Sequence, residues 1–203
     1  MWNLNSRLVK IAYVAGVTTF CTFLGCWVVL AHQENSQKPV HTAVSDAQFA
    51  KKAAQGGMAE VKMGQLAAEK GTSDSVKKFG QRMVEDHTKA GDELKNAAAQ
   101  ERINLPDDIS AKDQATYDSL SKLSGAAFDR AYARDMVKDH EEDIADFNKE
   151  ASGGQKAAIK DFASQTLPTL QDHLKQAKEM RQNVAASNPS YTKRNPSGTS
   201  GSK

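Results

Sequence analysis

Apolar residues recur every three or four positions through most of the chain, from about residue 46 to residue 183. This spacing is typical of an amphipathic α-helix, because about 3.6 residues complete one helical turn. No part of this region alternates β-branched and polar residues, as a half-buried β-strand would. The pattern therefore predicts an all-α domain over residues 45–183.

Serine, glycine and proline residues divide this region into five predicted helices. Serine is favoured just before a helix, glycine is favoured just after one, and proline cannot continue one. In chain order, the predicted helices span about residues 46–70, 73–102, 110–123, a segment after Ser124-Gly125 that ends near residue 152, and a segment after Gly153-Gly154 that ends near residue 183. Pro106 lies in the break after the second helix, and Pro168 predicts a kink in the last.

Four of these helices are long and are joined by short turns, while the third is short. Long helices with short connections pack against their sequence neighbours in opposite directions. The sequence thus predicts an antiparallel four-helix bundle in which the short helix links the two hairpins. Residues 32–44 are polar and predict a linker, and residues 184–203 are rich in Ser, Gly, Pro and Lys, which predicts a disordered tail.

The first 31 residues differ from the rest of the chain. Arg7 and Lys10 precede an uncharged apolar run over residues 11–31, and this order is typical of a segment that directs export. The run is long enough to span a bilayer, which takes about 20 apolar residues, while Ala31 fits signal-peptidase cleavage before His32. The segment is therefore either a cleaved signal peptide, which we favour, or an N-terminal membrane anchor. Both alternatives place the remaining chain outside the inner membrane.

Both cysteines, Cys21 and Cys26, lie in this apolar run, so the remaining chain contains no disulfide. The sequence FLGC, which ends at Cys26, leaves lipid attachment open as a third alternative. Charged residues make up 26% of the chain and aromatic residues 6%, and the net charge is +2. Proteins that bind nucleic acids need a clear basic excess, so these values argue against a nucleic-acid partner.

Three of the five histidines follow an aspartate, as Asp86-His87, Asp139-His140 and Asp172-His173. Each of these histidines falls on the inward-facing heptad stripe of its long helix, and Glu60 has the corresponding place in the first helix. The helical rise puts Glu60 and His87 at heights that differ by roughly 7 Å, and His140 and His173 at heights that differ by roughly 10 Å. We therefore expect one inward polar side chain from each long helix near the middle of the bundle.

A buried polar group costs about 1–3 kcal/mol unless it is paired, and one divalent ion such as Zn, Fe, Mn or Cu would pair imidazoles and a carboxylate together. The predicted metal ligands are Glu60, His87, His140 and His173. Asp86, Asp139 and Asp172 flank the inward stripes, and we expect them to orient histidines of neighbouring helices, as carboxylates behind metal-bound imidazoles do. Two alternatives stay open: a metal-free core with a glutamate–histidine ion pair, and a site for another ligand.

The domain contains no recognisable catalytic motif. Gly56-Gly57 in QGGMAE lies within a predicted helix and cannot form a phosphate-binding loop. No serine occupies a nucleophile elbow, and residues 32–203 contain no thiol. These observations favour a protein that is not an enzyme. Tyr132 in FDRAYARD is predicted to pack against a loop, and support of the histidine cluster by Tyr132 stays open as the alternative.

Several segments of the predicted bundle are similar to one bacterial protein family. They are FAKKAAQGGMAEVKMGQLAAEKGTSDSVKKFGQRMVEDH, LPDD, LSGAAFDRAYARDMVKDHEEDIADF and FASQTLPTLQDHLKQA. Over about residues 46–180 the chain resembles domain-of-unknown-function family 4142. The resemblance implies a ferritin-like fold and an exported bacterial protein, often one of the outer membrane.

The site differs from the di-iron sites of ferritin-like proteins. Those sites use glutamates placed three residues before histidines, whereas Val84, Val137 and Leu170 occupy these positions here. A two-metal centre needs bridging carboxylates, and Glu60 is the one inward carboxylate that the stripes predict. The expected site is therefore a single ion bound by three imidazoles and one carboxylate.

These inferences predict an exported helical-bundle protein, periplasmic or envelope-associated in a Gram-negative bacterium. It is expected to bind one divalent metal ion and to serve an envelope or stress-related role. The alternative is a metal-free module that binds an envelope protein partner and whose core histidines are purely structural. Membrane contact is expected only through an uncleaved N-terminal segment, and the oligomeric state stays open.

Overall fold

The computed structural model describes residues 45–187, which form five α-helices and no β-strand. In chain order the helices are α1 (Asp46–Lys70), α2 (Asp74–Gln100), α3 (Ala111–Ser121), α4 (Gly125–Gly153) and α5 (Ala157–Ala186). The predicted all-α class is confirmed, and each helix begins and ends within one turn of its predicted bounds. The predicted leader, the predicted linker and most of the predicted tail lie outside the described residues.

Serine side chains cap the first three helices. The hydroxyl of Ser45 accepts a hydrogen bond from the amide of Gln48 at 3.3 Å, and the side chain of Gln48 accepts one from the amide of Ser45 at 3.2 Å. This reciprocal pair satisfies two amides that have no partner within the helix. Ser73 and Ser110 cap α2 and α3 through the same kind of side-chain bond. The starts of these helices therefore follow from residues next to each other in the sequence.

The second helix ends slightly earlier than the sequence predicted. Arg102 has a φ of 56°, a left-handed backbone conformation that an α-helix cannot continue. The amide of Ile103 then donates a hydrogen bond to the carbonyl oxygen of Ala98 at 2.8 Å. α2 is thus closed at its C-terminus before Pro106 is reached.

The last helix includes Pro168 within its span. Proline has no amide hydrogen, so the helix loses one backbone hydrogen bond there. α5 continues on both sides of this residue, and the flanking side chains of Thr166 and Leu170 are buried in the core. A kink at Pro168 stays a prediction.

Contacts between the helices bring residues from all five elements into one interior. The most extensive contacts join α1 to α2 and α4 to α5, while α2 also packs on α5 and α3 lies against α1 and α4. α1 and α2 approach closely where Gly64 faces Gly80, because a Cβ atom at Gly80 would lie 2.6 Å from the carbonyl oxygen of Gly64. Buried apolar side chains form two clusters, one that includes Phe79 and Phe128 and one that includes Phe147.

A buried carboxyl near the end of α4 makes stability depend on pH. Glu150 is 4% exposed, and burial together with the charge of Asp46 raises its pKa to about 7. The native state therefore binds the proton of Glu150 more tightly than the unfolded chain does. The resulting stabilisation is complete below a pH of about 4.5, the ordinary pKa of the group, and is lost as the pH rises through about 7.

The variant Glu150→Gln, which resembles the protonated side chain, should be as stable as the wild type near pH 4.5. At pH 8 it should be more stable by about 1–3 kcal/mol, because it carries no buried charge. Urea unfolding at the two pH values measures the difference. The control is Glu141→Gln, which removes an exposed carboxylate paired with Lys178 and should show no comparable difference in stability between the two pH values. Equal stability of Glu150→Gln and the wild type at pH 8 would contradict the prediction.

Candidate metal centre

One polar side chain from each of the four long helices is buried in the middle of the domain. The exposed fraction is 3% for Glu60 on α1, 7% for His87 on α2, 0% for His140 on α4 and 1% for His173 on α5. These are the four residues that the heptad stripes place inward.

The positions of the turns explain why these side chains meet. Glu60 lies ten residues before the end of α1, and His87 lies thirteen residues after the start of α2. The difference of three residues corresponds to about 4.5 Å of rise, less than expected from the sequence, because the turn residues add no helical rise. Side chains also lean toward the N-terminus of their helix, so Glu60 leans away from the turn and His87 leans toward it. His140 and His173 have the same relation across the turn between α4 and α5.

The three histidines converge on a common point. One ring nitrogen from each of His87, His140 and His173 lies within 4.8 Å of the other two, and this group does not include Glu60. The closest pair is Nε2 of His140 and Nδ1 of His173, at 3.3 Å. The ring centroids are 5.3–5.8 Å apart. Three imidazoles from three helices thus face one small volume.

Hydrogen bonds on the outer side of two rings determine which nitrogens carry hydrogen. Nδ1 of His140 lies 2.9 Å from the carbonyl oxygen of Met136, which can only accept, so this nitrogen donates. Nε2 of His173 lies 2.7 Å from Oδ2 of Asp86 and donates to it in the same way. The two nitrogens that face each other at 3.3 Å are then both unprotonated when the rings are neutral. Two buried lone pairs at this distance repel each other unless a cation lies between them.

The glutamate contacts the outer side of the cluster. Oε2 of Glu60 lies 3.1 Å from Nδ1 of His87, and its Oε1 lies 3.4 Å from Nδ1 of His140. Oε1 of Glu60 and Nε2 of His87 have no hydrogen-bond partner within the described residues. A buried polar atom without a partner costs about 1–3 kcal/mol. Hydrogen bonds among the four side chains therefore leave two buried polar atoms of the cluster without a partner.

Burial favours the neutral forms of these groups. Burial, together with the charge of His173, lowers the pKa of His140 to about 4. Burial and the other two histidines hold the pKa of His87 well below its ordinary value. Burial and nearby aspartates raise the pKa of Glu60 well above its ordinary value. Neutral imidazoles present lone pairs to a metal ion without first losing a proton.

The three aspartates that precede the histidines occupy different positions. Asp86 contacts His173, a histidine of another helix. Asp172 instead pairs with Arg82, whose Nη1 lies 2.7 Å from Oδ2 of Asp172 and whose Nε donates to Asp86 at 3.0 Å. Asp139 forms no hydrogen bond with a histidine in the part of the chain that the structure describes, and burial raises its pKa to about 6. Arg82 was not predicted, although its position one helical turn before Asp86 is a recognisable signal.

A family model for a domain of unknown function, DUF4142, matches residues 31–180. The chain belongs to the DUF4142 family. The match covers Glu60, His87, His140 and His173, together with α1, α2 and α4 and most of α5. A comparison with curated proteins gives no match.

The helical fold of this DUF4142 protein is similar to that of a DUF305 fragment from Deinococcus radiodurans, known from a crystal structure. The TM-score is 0.59 at 13% identity, over 70% of this chain and 95% of that chain. At this identity the similarity shows a shared helical fold alone. Among the described helices of the DUF4142 protein, none has a stretch that is both long and apolar enough to cross a membrane.

Tyr132 lies in the core of the DUF4142 domain, whereas the sequence predicted that it packs against a loop. Its side chain is 0% exposed and stacks on Phe128 with ring centroids 5.9 Å apart. Phe79 contacts Tyr132 edge to face and lies with its centroid 6.3 Å from that of His140. Aromatic rings therefore close one side of the histidine cluster. Tyr132 is buried beside the heptad stripe of His140, because a buried helical face is wider than one stripe.

A cavity of about 540 Å³ reaches the opposite side of the cluster. Residues of α1 and α2 line this cavity, together with residues 105–109 of the connection to α3. Side chains of α4 and α5 complete its wall. Glu60 and His87 line this cavity, whereas His140 and His173 do not. His87 is therefore the histidine through which the cluster of this DUF4142 protein meets the cavity.

Proposed function

We propose that this DUF4142 protein binds one divalent metal ion through the inward ring nitrogens of His87, His140 and His173. The observation that carries the proposal is the pair of facing nitrogens of His140 and His173, 3.3 Å apart and both without hydrogen in the neutral rings. Two nitrogens bound to one tetrahedral zinc ion at 2.0–2.1 Å lie about 3.3–3.4 Å apart. The spacing of these two rings supports a shared ion, and the third nitrogen lies within 4.8 Å.

A group behind each histidine supports the same assignment. The outer nitrogens of His87, His140 and His173 face Glu60, the carbonyl oxygen of Met136 and Asp86. Metal-bound histidines commonly donate their second N–H to a carboxylate or a carbonyl oxygen in this way. In the proposal Glu60 is an orienting carboxylate, because its oxygens face Nδ1 atoms and not the point of convergence.

Binding of the cation is expected to release a proton from the cluster. A metal on Nε2 of His87 requires the hydrogen of that ring to be on Nδ1, which donates it to Glu60. The positive charge of the ion favours the ionised form of Glu60, which opposes the effect of burial on this carboxyl and favours release of its proton. Imidazole ligands suit Zn, Fe and Cu, and three of them leave one coordination position for water or another ligand.

Elemental analysis of the purified chain tests the proposal. After exposure to zinc we expect close to one metal ion per chain. A chelator should then lower the melting temperature, because a ligand that binds only the native state stabilises it by about 2.7 kcal/mol at one hundred times its Kd. A chain that takes up none of Zn, Fe, Mn or Cu and whose melting temperature is indifferent to chelator would refute the proposal. That result would favour the metal-free interaction module, in which the core histidines are purely structural.

The variant Asp86→Ala should bind zinc about 10–100-fold more weakly than the wild type. Asp86 accepts the hydrogen bond from Nε2 of His173 at 2.7 Å, and its charge makes the free nitrogen of that ring a stronger donor to the metal. The matched control is Asp172→Ala, which removes a carboxylate paired with the same Arg82 but touching no histidine of the cluster. Zinc titration calorimetry compares the two variants. Equal affinities would show that Asp86 does not support the metal site.

We also propose that the four long helices form an antiparallel, ferritin-like bundle linked by α3. The proposal is supported by the short connections between α1 and α2 and between α4 and α5, and by the extensive contacts within each pair. An experimental structure in which either pair runs in the same direction would overturn it.

We propose, finally, that the protein is exported and acts in the periplasm or envelope of a Gram-negative bacterium, in an envelope or stress-related role. The support is the basic start and the apolar run over residues 1–31. N-terminal sequencing of the exported product distinguishes cleavage before His32 from retention of the segment as an anchor. Recovery of the protein from the cytosolic fraction alone would contradict export.

A further inference from the structure

The cavity beside the histidine cluster has the size and the walls of a small-molecule site. Its volume of about 540 Å³ falls within the roughly 300–1,000 Å³ range of such sites. Apolar side chains from three helices and the loop before α3 form much of its wall, including Leu94, Leu105, Phe147, Phe162 and Leu170. Aliphatic and aromatic walls of this kind accommodate the apolar body of a ligand.

Two of the carboxyl groups that line this cavity, those of Glu60 and Asp143, are buried or half-buried. Glu60 is 3% exposed and its Oε1 has no hydrogen-bond partner in the described residues. Asp143 on α4 is half-buried and forms neither a hydrogen bond nor an ion pair within the part of the chain that the structure describes. Of the two lysines on the wall, Lys95 pairs with Asp92 and Lys62 is exposed. The inner part of the cavity therefore presents the carboxyl of Asp143 and the free Oε1 atom of Glu60, whereas Oε2 of Glu60 contacts Nδ1 of His87 at 3.1 Å.

We propose that this cavity binds a small organic cation that has an apolar body and one ammonium group, such as an arylalkylamine. The ammonium group is placed at Asp143 and Glu60, and the apolar body packs against Phe147 and Phe162. Hydrogen bonds between an ammonium and a carboxylate are about twice as strong as those between neutral groups.

Other classes of ligand fit the cavity less well. A carboxylate-bearing ligand would place a second acidic group beside Asp143. An uncharged ligand would leave the carboxyl of Asp143 without a cationic partner, and a hydrated inorganic cation would gain nothing from the apolar wall. The site is separate from the converging ring nitrogens, and the proposal does not depend on metal binding.

Titration calorimetry of the full chain with three matched compounds tests the proposal. The probes are 2-phenylethylamine, 2-phenylethanol and 3-phenylpropionate, in a buffer that contains a chelator and no amine. Because the chelator removes any metal, the result is independent of the metal proposal, and failure of either proposal can be recognised by itself. We expect the amine to bind at least about tenfold more tightly than the alcohol, and the carboxylate to bind more weakly than both.

Variants of the cavity locate the binding. Asp143→Asn should weaken amine binding by about tenfold or more and leave alcohol binding unchanged, whereas Asp161→Asn, which removes an exposed carboxylate away from the cavity, should change neither. Ala90→Leu, which fills part of the cavity, should weaken binding of both compounds. Thermal melting checks that each variant is folded.

Three results would each overturn the proposal. They are amine and alcohol affinities that are the same, amine binding that survives Asp143→Asn undiminished, or no heat with any probe. If Ala90→Leu does not fold, the comparison of Asp143→Asn with Asp161→Asn decides the question.

Discussion

The variant His140→Phe is expected to purify without a stoichiometric divalent metal, and its affinity for zinc should fall by at least about a hundredfold. Nε2 of His140 belongs to the closest nitrogen pair of the cluster, 3.3 Å from Nδ1 of His173. Loss of a group behind a ligand already costs about 10–100-fold, so loss of a ligand should cost at least as much. Phenylalanine retains a ring in this 0% exposed position but has no lone pair. Elemental analysis and zinc titration calorimetry measure the effect.

His41→Phe is the matched control, because His41 lies in the predicted linker and outside the inward stripes of the predicted helices. It should retain one metal ion per chain and the zinc affinity of the wild type. A folded His140→Phe protein that binds zinc as tightly as the wild type would exclude the proposed site. If the substitution prevents folding, His173→Gln provides the same test, since it changes another of the three converging rings and retains a polar side chain.

Gly80→Ala is expected to reduce the free energy of unfolding by about 3 kcal/mol or more. A Cβ atom at this position would lie 2.6 Å from the carbonyl oxygen of Gly64, 2.8 Å from the Cβ atom of Ala67 and 3.0 Å from the amide nitrogen of Ala68. Two of these three atoms belong to the backbone of α1, which cannot move aside without separating the helices. Overpacking of this kind costs typically about 1–3 kcal/mol and sometimes more. A decrease in melting temperature of about 6 °C or more is the expected observation.

Gly91→Ala is the control on the same helix. Nothing lies within 4 Å of a Cβ atom at Gly91, so the substitution adds helix propensity without a clash and should stabilise the protein by about 0.5–1 kcal/mol. If the free energy of unfolding falls in Gly80→Ala and rises in Gly91→Ala, the loss in the first variant is due to the close approach of the helices. It is then not a general effect of alanine in a helix. A Gly80→Ala protein as stable as the wild type would show that α1 and α2 are not in such close contact.

The close contact of α1 and α2 also affects the proposed metal site. Gly80 lies two helical turns before His87 on α2, and Gly64 lies about one turn after Glu60 on α1. Separation of the two helices would lengthen the 3.1 Å contact between Glu60 and His87. We therefore expect Gly80→Ala to weaken zinc binding as well, whereas Gly91→Ala should leave it unchanged.

The helices and their bounds were accessible from the sequence because their signals are local. Ser45 caps α1 through a residue only one turn away, and such contacts form in the same way whatever the rest of the fold does. The inward direction of Glu60, His87, His140 and His173 was equally accessible, because heptad spacing determines which face of a helix is buried. The sequence overestimated the difference in height between these side chains, since it does not give the exact lengths of the turns.

The chemistry of the candidate site depends on how the helices are rotated and placed against one another. Contacts between side chains far apart in the chain decide which ring nitrogen faces inward. They also decide that Asp86 contacts His173 while Asp172 pairs with Arg82, and that Glu60 lies near two Nδ1 atoms. The cavity likewise requires the connection before α3 to lie beside α1 and α2. By itself the sequence determined five helices and four inward polar residues, because propensity, capping and periodicity act over a few residues. Only the tertiary structure decided which atoms face one another, because differences of an ångström between packed helices determine hydrogen bonds.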